Sequence, residues 1–216
     1  MSLSAKFLEF GGNPTGLLGR VLGLLMNAGH NDSYHWGLGR VAIEPDSVAL
    51  DIGCGGGKVV NLLATRASNG KVYGVDRSPD MVKLSRRVNQ SLIQSGRVEI
   101  DHGSVSSLPY SDDMFDFVTA FETIEFWPDL SKDLREVKRV LRPSGVLLIV
   151  NRCPDVEERD KWAELLQLCT PNEFRECLSK AGYSDIAIDF GPKPGWIMVL
   201  AKKPLYIYGG GEGQPC

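Results

Sequence analysis

From residue 47 onward, short apolar runs alternate with longer stretches of helical periodicity. The runs "SVALDI" (47–52), "KVYGVD" (71–76), "VEIDHG" (98–103), "FDFVTA" (115–120) and "VLLIVN" (146–151) read as strands. Their Val, Leu and Ile content fits strands buried on both faces, as in a parallel sheet. Between them, Ser78 stands as an N-cap before Pro79 at a first helical position. Met81, Leu84, Val88 and Leu92 follow at helical spacing, and Gly96 can end that helix. Leu130, Leu134, Val137 and Leu141 mark the next helix, closed by Arg142-Pro143-Ser144-Gly145. Two further helical patterns, at about 155–168 and 171–181, precede the strand-like "DIAIDF" and "WIMVLAK". Alternation of this kind predicts an α/β fold, a doubly wound sheet with right-handed crossovers.

The flanks break the pattern. Residues 1–45 contain no strand signal. Leu17, Leu18, Val21, Leu22 and Leu25 predict one amphipathic helix, followed by a loop holding His30, Tyr34, His35 and Trp36. The closing "GGGEGQPC" has nothing to pack and is expected to be disordered. The organisation expected is an N-terminal helical lid (1–45), a core domain (46–203) and a disordered tail (204–216).

Composition narrows the classes. A chain of 216 residues suffices for one sizeable core and is short for two. The formal charge of -3 argues against a broad electrostatic grip on nucleic acid. The cysteines, Cys54, Cys153, Cys169, Cys177 and Cys216, are odd in number and form no CxxC pair. That excludes a disulfide framework and gives no metal site. No apolar stretch reaches the roughly 20 residues of a membrane span, and "MSLSAKFLEF" is not a secretory signal. A cytoplasmic location is the expectation.

The chemistry begins at "DIGCGGGK" (51–58), a glycine cluster between a strand and a helix. Such a turn exposes backbone N–H groups and lets a ligand lie against the main chain. Asp76 ends the second strand about 20 residues later, where its carboxylate can accept from both hydroxyls of a ribose. Together they predict an adenosine-type nucleotide at the carboxyl ends of the strands. A dinucleotide fingerprint starting at Gly53 needs glycine or alanine at position 58, where Lys58 stands. Gly53, Gly55 and Gly57 instead spell GxGxG.

On these residues the sequence resembles the class I S-adenosylmethionine-dependent methyltransferases, whose first motif is an acidic residue, an apolar residue, then GxGxG. "VYGVDRSPDMV" is similar to their second motif, "GSVSSLPYSDDMFDFV" to their third region, and "LREVKRVLRPSGVLLIVN" to the following helix–turn–strand. "TPNEFRECLSKAGYSDIAID" and "GWIMVLAKK" resemble the closing helix and hairpin. About 155 residues (47–203) fit, and the tone is that of small-molecule enzymes of the ubiquinone and menaquinone biosynthesis type. The resemblance implies a Rossmann-like, seven-stranded, mostly parallel sheet with the last strand antiparallel and helices on both faces. It implies S-adenosylmethionine as cofactor, held by Asp51, Gly53, Cys54, Gly55 and Asp76, with Arg77 and Met81 flanking the adenine. Ser104, Val105 and Phe121 are implied beside them. Two departures stand out: Ser104 where relatives often carry Asp, and Ser144 where a second glycine is usual.

Methyl transfer from a sulfonium is an in-line displacement, so most of the catalysis comes from holding acceptor and methyl in line. The segment "FETIEFW" (121–127) is implied to line the methionine end and the acceptor pocket, with Glu122 as the candidate catalytic residue. Against this stands a plain helix-start carboxylate. Tyr34, Trp36, Trp127 and Arg152 are expected at the acceptor, with Asn151 and the chain as far as Trp162 forming its other wall. His30 is a weaker candidate base, His102 is read as structural, and Cys54 as a small loop residue. The expected partner is a small-molecule methyl acceptor, with no nucleic acid, for a monomer or homodimer. Alternatives are a non-catalytic cofactor-binding protein and a nicotinamide-dependent oxidoreductase.

Overall fold

Strand β1 (Val48–Ile52) is buried over its last four residues and pairs in parallel with β2 (Lys71–Asp76) and β4 (Phe115–Phe121). This strand is central in the structure, a computed structural model that describes residues 31–153 and 169–205. With β3 (Val98–His102), β5 (Leu141–Arg152), β6 (Ser184–Phe190) and β7 (Trp196–Lys202) it forms one sheet ordered β3-β2-β1-β4-β5-β7-β6. β7 runs antiparallel to both of its neighbours and the remaining pairs are parallel. The fold is the Rossmann-like α/β sheet that the alternation predicts.

Side chains alternate between the two faces, and each face buries its own helices. Leu50, Ile52, Leu147 and Ile149 pack with Leu134 and Val137 of α5 (Leu130–Val140) and Phe174 and Leu178 of α6 (Pro171–Lys180). Ala49, Val72, Phe117 and Leu148 face the other way. There they meet α1 (Asn31–Leu38), α2 (Lys58–Arg66) and α3 (Pro79–Val88) through Leu38, Leu63 and Val82. A short α4 (Gln90–Gln94) follows α3.

Helix starts obey local chemistry. Ser78 accepts from the Met81 N–H with Pro79 at the first helical position. Asp129 accepts from the Lys132 N–H at 3.0 Å. Thr170 and Glu173 exchange both bonds of a capping box.

The structure departs from the sequence reading in three places. Tyr34, His35 and Trp36 lie on a helix, not in a loop. The single helix expected up to Gly96 is two, α3 and α4, separated at Asn89. The fifth strand begins at Leu141 rather than Val146. There Ser144 N–H donates to the Lys203 carbonyl and Lys203 N–H to the Gly145 carbonyl, so a distant strand completes what reads locally as a turn. The helices expected at 17–25 and 155–168, His30, Trp162 and the residues after 205 lie outside the described residues.

Candidate functional site

The glycine turn is built of left-handed backbone, with φ of 69° at Gly53, 47° at Gly55 and 80° at Gly57. Only glycine takes these values without strain. Space is as restrictive as conformation: a Cβ on Gly53 would run into the Thr123 side chain, and one on Gly57 into Ser85 and Asn89. The turn is pinned from both sides. Gly53 and Cys54 N–H groups donate to the Val75 carbonyl at 2.8 and 3.1 Å. Asn89, buried on the far side, donates from Nδ2 to the Gly57 and Ser85 carbonyls at 3.0 Å each.

Asp76 ties the turn to the second strand. Its Oδ2 accepts from the Gly55 N–H and its Oδ1 from the Ser78 N–H, both at 2.8 Å. Burial raises the Asp76 carboxyl, and these two donors oppose that rise. Each oxygen keeps a lone pair for a further donor, which is what a ribose diol offers.

Behind the turn, Asp51 is 2% exposed and opposes Thr119 in the parallel register, whose Oγ1 donates to Asp51 Oδ1 at 2.6 Å. Burial pushes the Asp51 carboxyl up to about 7; the Thr119 bond lowers it and the charge of Asp76 raises it further. Cys54 is also buried, with Sγ 3.8 Å from Ser85 Oγ. Burial raises its thiol well above the ordinary value, followed by the charges of Asp76 and Asp51, which disfavours the thiolate.

Asp51, Gly53, Cys54, Gly55 and Asp76 line one cleft of about 1000 Å³, counting its open mouth. That is room for a nucleoside cofactor with part of a small acceptor. Arg77 and Met81 line it after β2, Gly103, Ser104 and Val105 after β3, and Phe121 to Thr123 after β4. Arg77 lies 5.9 Å over the Phe126 ring, joining two walls of the cleft. Ser104 Oγ accepts from the Ser106 N–H at 3.2 Å. His102 sits outside, with Nε2 3.0 Å from the Arg77 carbonyl.

At the opposite end, Glu122 adopts φ 49°, left-handed for a non-glycine residue, and its N–H donates to the Val150 carbonyl. It is not a helix-start carboxylate, since the 3-10 turn at Ile124–Phe126 is preceded by Thr123. Ser33 Oγ of α1 donates to Glu122 Oε1 at 3.1 Å. Tyr34 lies edge-on to Phe121 with ring centroids 5.4 Å apart. Burial raises the Tyr34 phenol, and the charges of Asp51 and Glu122 add to it; all three residues line the cleft.

Of the residues expected at the acceptor, Tyr34 and Trp127 line the cleft. Trp127 is buried, and its Nε1 has no hydrogen-bond partner among the described residues. Trp36 instead stacks at a tilt on Trp196, 6.0 Å away, and neither it nor Arg152 lines the cleft. The sequence reading missed Ser33, Asn89 and Thr119. A signal existed for Thr119, a polar residue in the middle of an apolar strand opposite Asp51. None existed for Ser33 or Asn89.

Comparison with known proteins gives a consistent picture. A methyltransferase-domain family model matches residues 50–149. An O-methyltransferase of Pyrenophora dematioidea is 29% identical over 188 residues, covering 81% of this chain and 68% of that protein. The demethylmenaquinone methyltransferase of Bacillus mycoides (strain KBAB4) is 35% identical over 107 residues, covering 49% of this chain. The chain spans only 45% of the length of that second relative. Among solved structures, a chain of the Haloferax volcanii complex holding the Trm112 methyltransferase activator superposes with a TM-score of 0.75. It is 19% identical and the match covers 94% of this chain and 99% of that one, a likeness of fold.

Proposed function

We propose that this chain, whose residues 50–149 match a methyltransferase-domain model, is a class I S-adenosylmethionine-dependent methyltransferase that transfers a methyl group to a small-molecule acceptor by in-line displacement. The observation that carries this reading is the clamp between the two cofactor motifs. Asp76 receives the Gly55 N–H at 2.8 Å in the same cleft as a turn with three left-handed glycines. S-adenosylmethionine would supply the methyl group from its sulfonium, the C–S bond pair returning to sulfur so that neutral S-adenosylhomocysteine leaves.

The chain's own residues bind and orient. Asp76 takes the ribose hydroxyls, Arg77 and Met81 flank the adenine, and Ser104 and Val105 meet its edge. The open backbone at Gly53 and Gly55 admits the methionyl tail, with Asp51 and Glu122 as acceptors for its ammonium. Tyr34, Phe121 and Trp127 wall off water and hold the acceptor, so that orientation supplies most of the rate. For an acceptor that gives up a proton, Glu122 is the group at hand. The two relatives support a small organic acceptor, one by its name as an O-methyltransferase and one as acting on demethylmenaquinone.

Calorimetry on ligand-stripped protein tests the reading first, with S-adenosylmethionine, S-adenosylhomocysteine and a nicotinamide dinucleotide. Uptake of the first two and not the third is expected. Formation of S-adenosylhomocysteine over a panel of phenols, quinols and amines then tests transfer. Binding with no turnover on any of them points to a cofactor-binding protein instead. Unchanged binding and turnover in Glu122→Gln would retire its proton-accepting role.

A further inference from the structure

We infer that Ser33 is a positioning residue: its hydroxyl holds the Glu122 carboxylate where the methionyl ammonium is received, so that docking of α1 completes the cofactor site. The inference rests on the cofactor reading above. It adds a residue from a segment that carries no cofactor motif.

α1 buries Ser33, Tyr34, Gly37 and Leu38, a stripe of paired positions one turn apart. A serine on the buried stripe of a helix, at 1% exposure, needs a polar partner. Its hydroxyl finds Glu122, 89 residues away in sequence. Gly37, one turn later on the same stripe, permits this approach. A Cβ there would stand 2.5 Å from Val150 Cγ2 and 3.1 Å from the Phe121 ring, so only a glycine lets the helix backbone come this close to the ends of β4 and β5.

Glu122 is held at its other end as well. Its backbone is left-handed and its N–H is bonded to Val150, which fixes where the side chain leaves the main chain. A strained residue at the mouth of a ligand cleft is worth its strain only if the side chain must point one way. The Ser33 bond adds a constraint on the carboxylate itself, and Tyr34 beside it brings a ring onto Phe121 in the same cleft. Asp51 of β1 lines the same cleft as Glu122, the residue that follows β4. Either carboxylate can receive a cation there, and a hydroxyl from α1 orients the Glu122 one.

The test is a double-mutant cycle read by calorimetric titration of S-adenosylhomocysteine, with a thermal melt of each protein. Ser33→Ala is expected to weaken binding about fivefold to tenfold, and Glu122→Gln by at least as much. The double variant is expected to bind within about twofold of Glu122→Gln alone, because the serine acts only through that carboxylate. Ser33→Thr, which keeps the hydroxyl, is expected to stay within about twofold of wild type. If Ser33→Ala does not fold, Ser33→Cys, a weaker donor of similar size, replaces it in the cycle. The inference is overturned if the alanine variant binds like wild type, if the two losses multiply in the double variant, or if threonine is as weak as alanine. A wild-type chain that takes up neither S-adenosylhomocysteine nor S-adenosylmethionine overturns the cofactor reading itself, a result distinct from all three.

Discussion

The two ends of the cleft are made in different ways. At the Asp76 end, the ligand surface is main chain: three left-handed glycines, N–H groups pinned to Val75, and a carboxylate bonded to the turn it serves. At the Glu122 end, the surface is side chains from segments far apart, with Ser33 and Tyr34 on α1 meeting Phe121 and Glu122 after β4. The first end is shaped by local conformation of the turn between β1 and α2, tied to Asp76 of β2 and braced by Asn89 after α3. The second exists only when α1 is seated. A main-chain cradle is set by conformation alone, whereas a side-chain wall depends on the docking of distant segments.

The largest effect expected is at the first end. On the proposed cofactor placement, Asp76→Ala removes the acceptor for two ribose hydroxyls, and it leaves the Gly55 N–H without its partner. S-adenosylhomocysteine affinity is expected to fall about 100-fold or more by titration calorimetry. Next, Gly57→Ala forces a left-handed alanine onto Ser85 and Asn89. A loss of about 2–4 kcal/mol in urea unfolding is expected, from backbone strain together with overpacking.

Gly37→Ala sharpens the contrast, because it wedges α1 away from Val150 and Phe121. It is expected to lower stability by about 1–3 kcal/mol. Titration with adenosine, which reaches only the Asp76 end, is expected to be unchanged, while affinity for S-adenosylhomocysteine drops. Equal loss for both ligands would show that the two ends are not separable.

The smallest expected effect is one of pH. Burial raises Asp51 from its ordinary value of 3.8 to about 7, so the folded chain holds a proton that the unfolded chain releases. Stability from this group is complete below the lower value and is lost as the pH rises through about 7, so the ligand-free chain is expected to melt lower across that window. Binding of an ammonium has the opposite slope, because it needs Asp51 ionised. Affinity for S-adenosylhomocysteine is expected to fall about tenfold between about pH 8 and about pH 6, with proton release seen as a buffer-dependent enthalpy.

The same contrast explains what could be read from the sequence. Gly53, Gly55, Gly57 and Asp76 announce themselves, because left-handed backbone and a strand-end carboxylate are demands on single residues at fixed spacing. The strands were legible from their Val, Leu and Ile runs, and Ser78 and Pro79 from capping chemistry. α1 was not. Its buried stripe contains Ser33 and Gly37, which no hydrophobic period registers, and their use depends on Glu122 and Val150 more than 80 positions on. The start of β5 was hidden likewise, since Pro143-Ser144-Gly145 reads as a stop until Lys203 pairs across it. Ser144 does take the left-handed backbone, at φ 66°, that its glycine-like position suggests.

The placement of β7 between β5 and β6 bears on how the chain is made. Both neighbours precede it in sequence, and β5 offers seven registered positions that only residues 196–202 fill. While the ribosome is still adding those residues, β5 presents an unpaired border of Leu, Ile and Val to the surroundings. Completion of the sheet therefore waits on late synthesis, and a nascent chain stalled before residue 196 is the species most in need of a chaperone.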